Sequence, residues 1–237
     1  LFMMYHIILV LLSVLTSFGV KQTEEIIVEK SELITDFTPK NIDESAYATL
    51  DANSFKMPSF DCFSKAILGF YKLKESGIVG KDFLTIVDYS LPSTEKRLWI
   101  IDTKENKIVM NTLVAHGKNS GANYANSFSN ANESNKSSLG FFITGETYIG
   151  KHGLSLKLDG LENGINDSAR KRAIVMHAAD YVSEAFAKAH LRLGLSHGCP
   201  ALPPALSNKI ITTIKGKSCL FVYSSNSNYS STSKLVS

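Results

Sequence analysis

Residues 194–200, Gly-Leu-Ser-His-Gly-Cys-Pro, gather a hydroxyl, an imidazole and a thiol within a glycine-rich stretch. Three chemistries compete for it. A serine nucleophile elbow fits by letter, because Gly194-Leu195-Ser196-His197-Gly198 reads G-x-S-x-G. That mechanism needs an acid and then a histidine after the serine. No Asp or Glu follows Ser196, and the one downstream histidine is its neighbour His197, so the elbow is excluded. A zinc site could draw on His116, His152, His177, His190, His197 and Cys199. The sequence offers neither H-E-x-x-H nor C-x-x-C spacing to organise one.

A cysteine nucleophile is the third reading. A free thiol is only a few per cent ionised at neutral pH and needs a base or a cation beside it. His177 ends the apolar run Arg172-Ala-Ile-Val-Met-His177, where a strand end would present an imidazole. The glycine at 198 lets backbone N–H groups approach a developing oxyanion, each such donor typically being worth roughly 2.7–4 kcal/mol. Residues 178–195 would have to loop out and return for the pair to meet. The competing reading is a buried strand histidine and a loop cysteine that stay apart, and the residues alone leave both open. Cys62 and Cys199 and Cys219 make an odd set, which leaves at least one thiol unpaired within the chain. Cys62 and Cys219 sit in apolar surroundings and read as buried hydrophobes or as a pair with each other.

The elements that would position these groups follow from periodicity. Ser59–Gly77 carries apolar residues at 63, 66, 67, 70, 71 and 73, the spacing of an amphipathic helix. From Asp82 onward the runs DFLTIVDYS, RLWIID, KIVMNTLVAHG, LGFFITGETYIG, LSLKLDG and RAIVMHA are short and rich in β-branched and aromatic residues. They predict strands, with a hairpin turn at Asp102–Asn106. A helix is expected between Asp180 and Gly194, capped at each end by those residues. Another is expected from Pro204 to Gly216, before a last strand at Cys219–Tyr223. The expected fold is mostly β with a few small helices.

Composition sets the bounds. The 237 residues are 44% hydrophobic and 20% charged, near the globular average, which excludes collagen, coiled coil and wholesale disorder. A net charge of +3 without a basic run argues against nucleic acid as a partner. The apolar run 7–20 is too short to span roughly 30 Å of hydrocarbon. It has the length of a signal-peptide core, with small residues Ser17 and Gly19 before a cut at Val20. The expected organisation is a signal peptide or membrane anchor (1–19), a polar linker (20–58) with a short helix near 43–50, a catalytic domain (59–223) and a disordered Ser/Asn-rich tail (224–237).

Ser196-His197-Gly198-Cys199, preceded by His177 at a strand end, resembles the signature of L,D-transpeptidases (YkuD-like catalytic domains). Further segments resemble the murein branch of that family: VAHGKNSG at 114–121, FSN at 128–130, SSLGFF at 137–142, YIGKHG at 148–153 and RAIVMHAADYVS at 172–183. The likeness covers about residues 60–223. Two departures stand out: the 18 residues between His177 and Ser196 form a slightly long spacer, and Ala201 replaces an Asn common two places after the cysteine.

The resemblance implies a β-sandwich of mixed sheets with small capping helices, and an exported enzyme of cell wall biogenesis that acts on peptidoglycan. It implies Cys199 as nucleophile, His177 as base oriented by the Ala178 carbonyl, and His197 lining the site. Gly198 and Cys199 N–H groups would form part of the oxyanion hole, and Ser196, His116, Tyr148 and His152 would contact substrate. The reaction implied is acyl transfer through a thioester, giving 3→3 cross-links or, with water, L,D-carboxypeptidase activity. The resemblance implies no metal or organic cofactor and no protein partner; the location implied is periplasmic or cell-envelope. The alternatives are an inactive wall-binding module and a zinc-dependent peptidoglycan peptidase.

Overall fold

Alternating β-branched runs form strands because one face of each packs on an apolar layer. In the computed structural model, which describes residues 39–225 and 228–237, the strand-like runs become a mixed eight-stranded sheet. Its strands are β1 (Phe83–Asp88), β2 (Leu98–Asp102), β3 (Lys107–Thr112), β4 (Gly140–Gly150), β5 (Gly153–Gly160), β6 (Val175–Ala178), β7 (Ala201–Leu202) and β8 (Cys219–Tyr223). The spatial order is β3-β2-β1-β8-β4-β5-β6-β7. The β1–β8 and β6–β7 pairs are parallel and the others antiparallel. Register shifts at Ile100/Ile101 and at Thr144/Thr147 bend the sheet. The fold is mostly β with small helices, as expected.

Among the described residues the helices are α1 (Pro39–Ala48), α2 (Phe60–Glu75), α3 (Glu184–His190), α4 (Pro204–Ile214) and α5 (Tyr229–Thr232). Helix α2 starts where Ser59 Oγ accepts from the Cys62 N–H. Its apolar stripe of Cys62, Phe63, Ala66, Ile67 and Phe70 is buried against β1 and β8. Burying a side chain of this size stabilises by about 1.5–3 kcal/mol, so this stripe anchors the core. Phe141 of β4 stacks on Phe221 of β8 at 4.4 Å beneath it. Helix α4 covers β5 and β6, the strands that lead to the site. A smaller cluster of Leu113, Ala115, Ala179, Val182, Ala187, Leu193 and Ala201 lies at the β7 end.

Four expectations change. The helix expected over 180–194 is only α3, because Ser183 Oγ caps it by accepting from Phe186 N–H at 3.1 Å. Val182 meanwhile turns into the smaller core. Leu191, not Gly194, takes the left-handed conformation after the helix, at φ 56°. Gly194 is there for close approach: a Cβ would lie 2.4 Å from the Tyr181 ring.

Part of the expected linker also belongs to the domain. Asp43–Ser237 forms one compact unit, Asp51 bridges to Lys107, and Phe55 and Met57 pack on the core.

The tail expected to be disordered folds back: Tyr229 is buried and its hydroxyl donates to buried Glu162 at 2.8 Å. Ser233 donates to the same carboxylate. Cys62 and Cys219 are buried free thiols, the apolar reading of the two. The expected leader, and the linker up to residue 38, lie outside the described residues. Among the described residues no helix is long and apolar enough to cross a membrane.

Candidate active site

Strand β6 delivers His177, and β7 delivers the segment after the cysteine. The parallel register His177↔Ala201 sets Cys199 two residues before the histidine's partner. The His177 side chain is buried, and its Nδ1 donates to the Ala178 carbonyl at 2.8 Å. That bond fixes the tautomer with Nε2 as the free acceptor. Burial pulls the imidazole below its ordinary pKa, and the neighbouring His152 and Lys151 add to the effect. The imidazole is therefore neutral and unprotonated at pH 7.

Cys199 is partly buried. Its Sγ accepts from Val175 N–H at 3.5 Å and faces the Ala173 carbonyl at 3.8 Å. No hydrogen bond joins it to His177 among the described residues. Burial pushes the thiol up, partly offset by the Val175 N–H and the Arg172 guanidinium. The pair at rest is thus thiol and imidazole, not thiolate and imidazolium.

The loop before the cysteine is stitched to residues 115–118. Ser196 N–H donates to the His116 carbonyl at 2.9 Å, Lys118 N–H to the Ser196 carbonyl at 2.8 Å, and Ala115 N–H to the Ala201 carbonyl at 3.0 Å. Gly198 sits at φ +121°, and a Cβ there would meet the Lys136 carbonyl oxygen at 2.8 Å. Only glycine fits without strain. Its N–H, expected in the oxyanion hole, donates instead to Ser196 Oγ at 3.0 Å. The Cys199 N–H has no acceptor among the described residues.

The other expected residues separate into those at the surface and one that is enclosed. His197 is exposed and lies 3.3 Å from Lys118 Nζ. Tyr148 is exposed on β4 beneath Lys157. His152, at the β4–β5 turn, stacks on His177 with ring centroids 4.6 Å apart. His116, expected to contact substrate, is fully buried. Its Nδ1 accepts from Arg97 at 2.7 Å and its Nε2 faces the Gly121 carbonyl at 3.2 Å. Desolvation and Arg97 lower its pKa to about 4. Both ring nitrogens are thus engaged inside the protein, which leaves no polar edge for substrate.

Sequence reasoning missed Arg172. Its guanidinium donates to the carbonyls of Ser129 and Lys136 and to the hydroxyls of Ser134 and Ser138, at 2.5–3.1 Å. It thereby ties loop 129–138 to the start of the β6 run. Ser137 was missed in the same way; its hydroxyl links Gly117 N–H to the Gly198 carbonyl. The segments FSN and SSLGFF pointed to this loop without showing what holds it. Among the described residues no group of three or more His, Cys, Asp or Glu side chains is placed to hold a metal ion.

A sheet that brings a strand histidine beside a Ser-His-Gly-Cys loop defines a class, and the sequence matches it. Residues 55–223 match the L,D-transpeptidase catalytic domain, and the chain belongs to that family. Solved structures with a similar fold include L,D-transpeptidase 3 from Mycobacterium tuberculosis (9% identity, 61% of this chain, 62% of that one, TM-score 0.39). An L,D-transpeptidase from Mycobacterium smegmatis is 11% identical over 61% of this chain and 59% of that one, with a TM-score of 0.37. The helical cell shape determining protein Pgp2 from Campylobacter jejuni is 14% identical over 66% and 52%, with a TM-score of 0.38. The chain spans less than two thirds of the length of each of these three. No curated protein matches the sequence.

Proposed function

We propose that this protein is a cysteine acyltransferase acting on peptidoglycan stem peptides, with Cys199 as nucleophile and His177 as general base. The observation that carries the reading is the His177 bond to the Ala178 carbonyl, which leaves Nε2 as a neutral acceptor on the strand paired with the Cys199 segment.

His177 Nε2 takes the Sγ proton as the sulfur attacks the carbonyl carbon on the L-centre of the diamino acid in a tetrapeptide stem. The tetrahedral oxygen receives the Cys199 N–H. The C–N bond to D-Ala then breaks, the imidazolium returns the proton to the leaving amine, and a thioester remains. An amine of a neighbouring stem attacks the thioester and loses its proton to His177; the C–S bond breaks, the imidazolium returns that proton to Sγ, and a 3→3 cross-link results. Water in the same place gives L,D-carboxypeptidase activity. General-base assistance of this kind contributes typically about 10²–10⁴-fold.

His197 lines the mouth, and Ser196 acts by shaping the loop rather than by touching substrate. Tyr148 and His152 stand on the hairpin beside the base, where a stem peptide would pass. The substrate lies outside the inner membrane, and the apolar run 7–20 supports export to the cell envelope, by a cleaved leader or a retained anchor.

A second reading, a wall-binding domain without turnover, is favoured by one observation. The Cys199 thiol is turned to Val175 and Ala173 instead of the imidazole. Incubation with a disaccharide-tetrapeptide separates the two. Loss of D-Ala with dimer or tripeptide formation, unaffected by a chelator, supports the enzyme. Binding to sacculi without any product supports the second reading, and inhibition by the chelator would contradict both.

A further inference from the structure

The hairpin of β4 and β5 ends in a tight turn closed by the pair Gly150↔Gly153, which puts Lys151 and His152 at its tip. The tip reaches the base: the His152 and His177 rings lie 4.6 Å apart and within 25° of parallel. We infer that His152 is a positioning residue for His177, facing the imidazole with its own ring and setting by its charge how acidic the medium can become before the base is lost. This rests on the reading of His177 as the base.

Two properties of the pair support it. His177 is buried, with one nitrogen tied to the Ala178 carbonyl, so its ring plane is fixed by that bond and by the ring stacked on it. His152 is exposed to solvent. A protonated His152 places a like charge against His177, which disfavours a second proton there. The base then stays neutral further into acid than a solitary buried histidine would. Lys151, on the same tip, acts in the same direction. Cys199 lies two residues before the β7 partner of His177, with its thiol turned to Val175 and Ala173. The stacked pair is a device of the fold for keeping the base available.

The test uses the full chain and two variants. His152→Gln removes the charge and the stacked ring; His152→Phe removes the charge and keeps the ring. NMR titration of the His177 Cε1–H signal follows the base directly. In His152→Gln the His177 midpoint is expected to move to higher pH, and the acid limb of turnover to move with it. Turnover of His152→Gln on the alkaline plateau is expected to fall about tenfold from misplacement of the base, with partial recovery in His152→Phe. A His177 midpoint unmoved in His152→Gln overturns the inference, because mere packing would leave it there. Full turnover in His177→Ala would instead overturn the reading of His177 as base, and the positioning role with it, whatever the titration shows.

Discussion

Ser196 and Cys199 share one hydroxyl: Ser196 Oγ donates to the Cys199 carbonyl at 2.7 Å while accepting from the Gly198 N–H at 3.0 Å. The serine that spelled a nucleophile elbow is thus a brace. It closes a small ring around Gly198, beside which the Cys199 N–H has no acceptor among the described residues. A backbone N–H held in this way costs no reorganisation when negative charge develops beside it.

The brace gives the first expected outcome. Ser196→Ala leaves the buried Gly198 N–H without its acceptor, which costs about 1–3 kcal/mol. Denaturant unfolding should show that loss, and the acylation rate of Cys199 should fall as the loop loosens. Ser196→Thr keeps the hydroxyl and should recover most of both. Equal stability and rate in Ser196→Ala would remove the brace from the account.

Gly198 is the second point of test. Its φ of +121° and the 2.8 Å approach of the Lys136 oxygen leave no room for a side chain. Gly198→Ala should destabilise by about 1–3 kcal/mol through backbone strain and should slow acylation by displacing the Cys199 N–H. Thermal unfolding and single-turnover acylation read the two effects separately.

The pH dependence of the thiol follows from its surroundings. Burial holds the Cys199 thiol above, and the His177 imidazole below, their ordinary values. In the window between them both groups are neutral. Iodoacetamide modification of Cys199 should therefore keep rising with pH past the ordinary cysteine value of about 8.5. A rate plateau between pH 5 and 8 would show a resting thiolate–imidazolium pair and contradict this.

His116 makes stability depend on acid. Its pKa is about 4 in the fold against 6.5 ordinarily, so the fold keeps it neutral. The associated stability is fully present above about pH 6.5 and is lost as the pH falls towards 4, because the unfolded chain takes up the proton first. The loss is about 3 kcal/mol at about 1.36 kcal/mol per pKa unit. Denaturant unfolding at pH 7 and pH 4 should show it in the native protein and not in His116→Gln.

Much of this was legible in the sequence, for physical reasons that differ by element. The strands and α2 follow from spacing, since half-buried β-branched runs and a 3.6-residue stripe each permit one local structure. Cys199 and His177 are marked in the sequence by a Ser-His-Gly-Cys loop and a strand-end histidine, while the residue types alone leave open whether the two meet. Helix α3 was overextended because Val182 and Leu193 look periodic in sequence while packing into a separate small core. The tail read as frayed because its buried partner, Glu162, lies 67 residues before Tyr229. Local composition cannot report a pairing that distant. Arg172 was hidden for the same reason: its partners at 129–138 are set by the sheet, not by sequence neighbours.

His177 offers a direct comparison with the thiol. His177→Ala removes the acceptor for the Sγ proton while sparing the backbone pairing of β6 with β7. Turnover should fall by about 10²–10⁴-fold, and Cys199→Ala should abolish it, with both variants folded by circular dichroism. Full turnover in either would withdraw the role assigned to that residue.

The most direct single measurement is intact-protein mass spectrometry of the folded, reduced domain after exposure to a carbapenem, with peptide mapping of any adduct. An activated thiol opens the lactam and keeps the acyl group. The expected result is one adduct, on Cys199, lost in Cys199→Ala and much slowed in His177→Ala. No adduct on the folded protein, or an adduct on another residue, would contradict a nucleophilic Cys199.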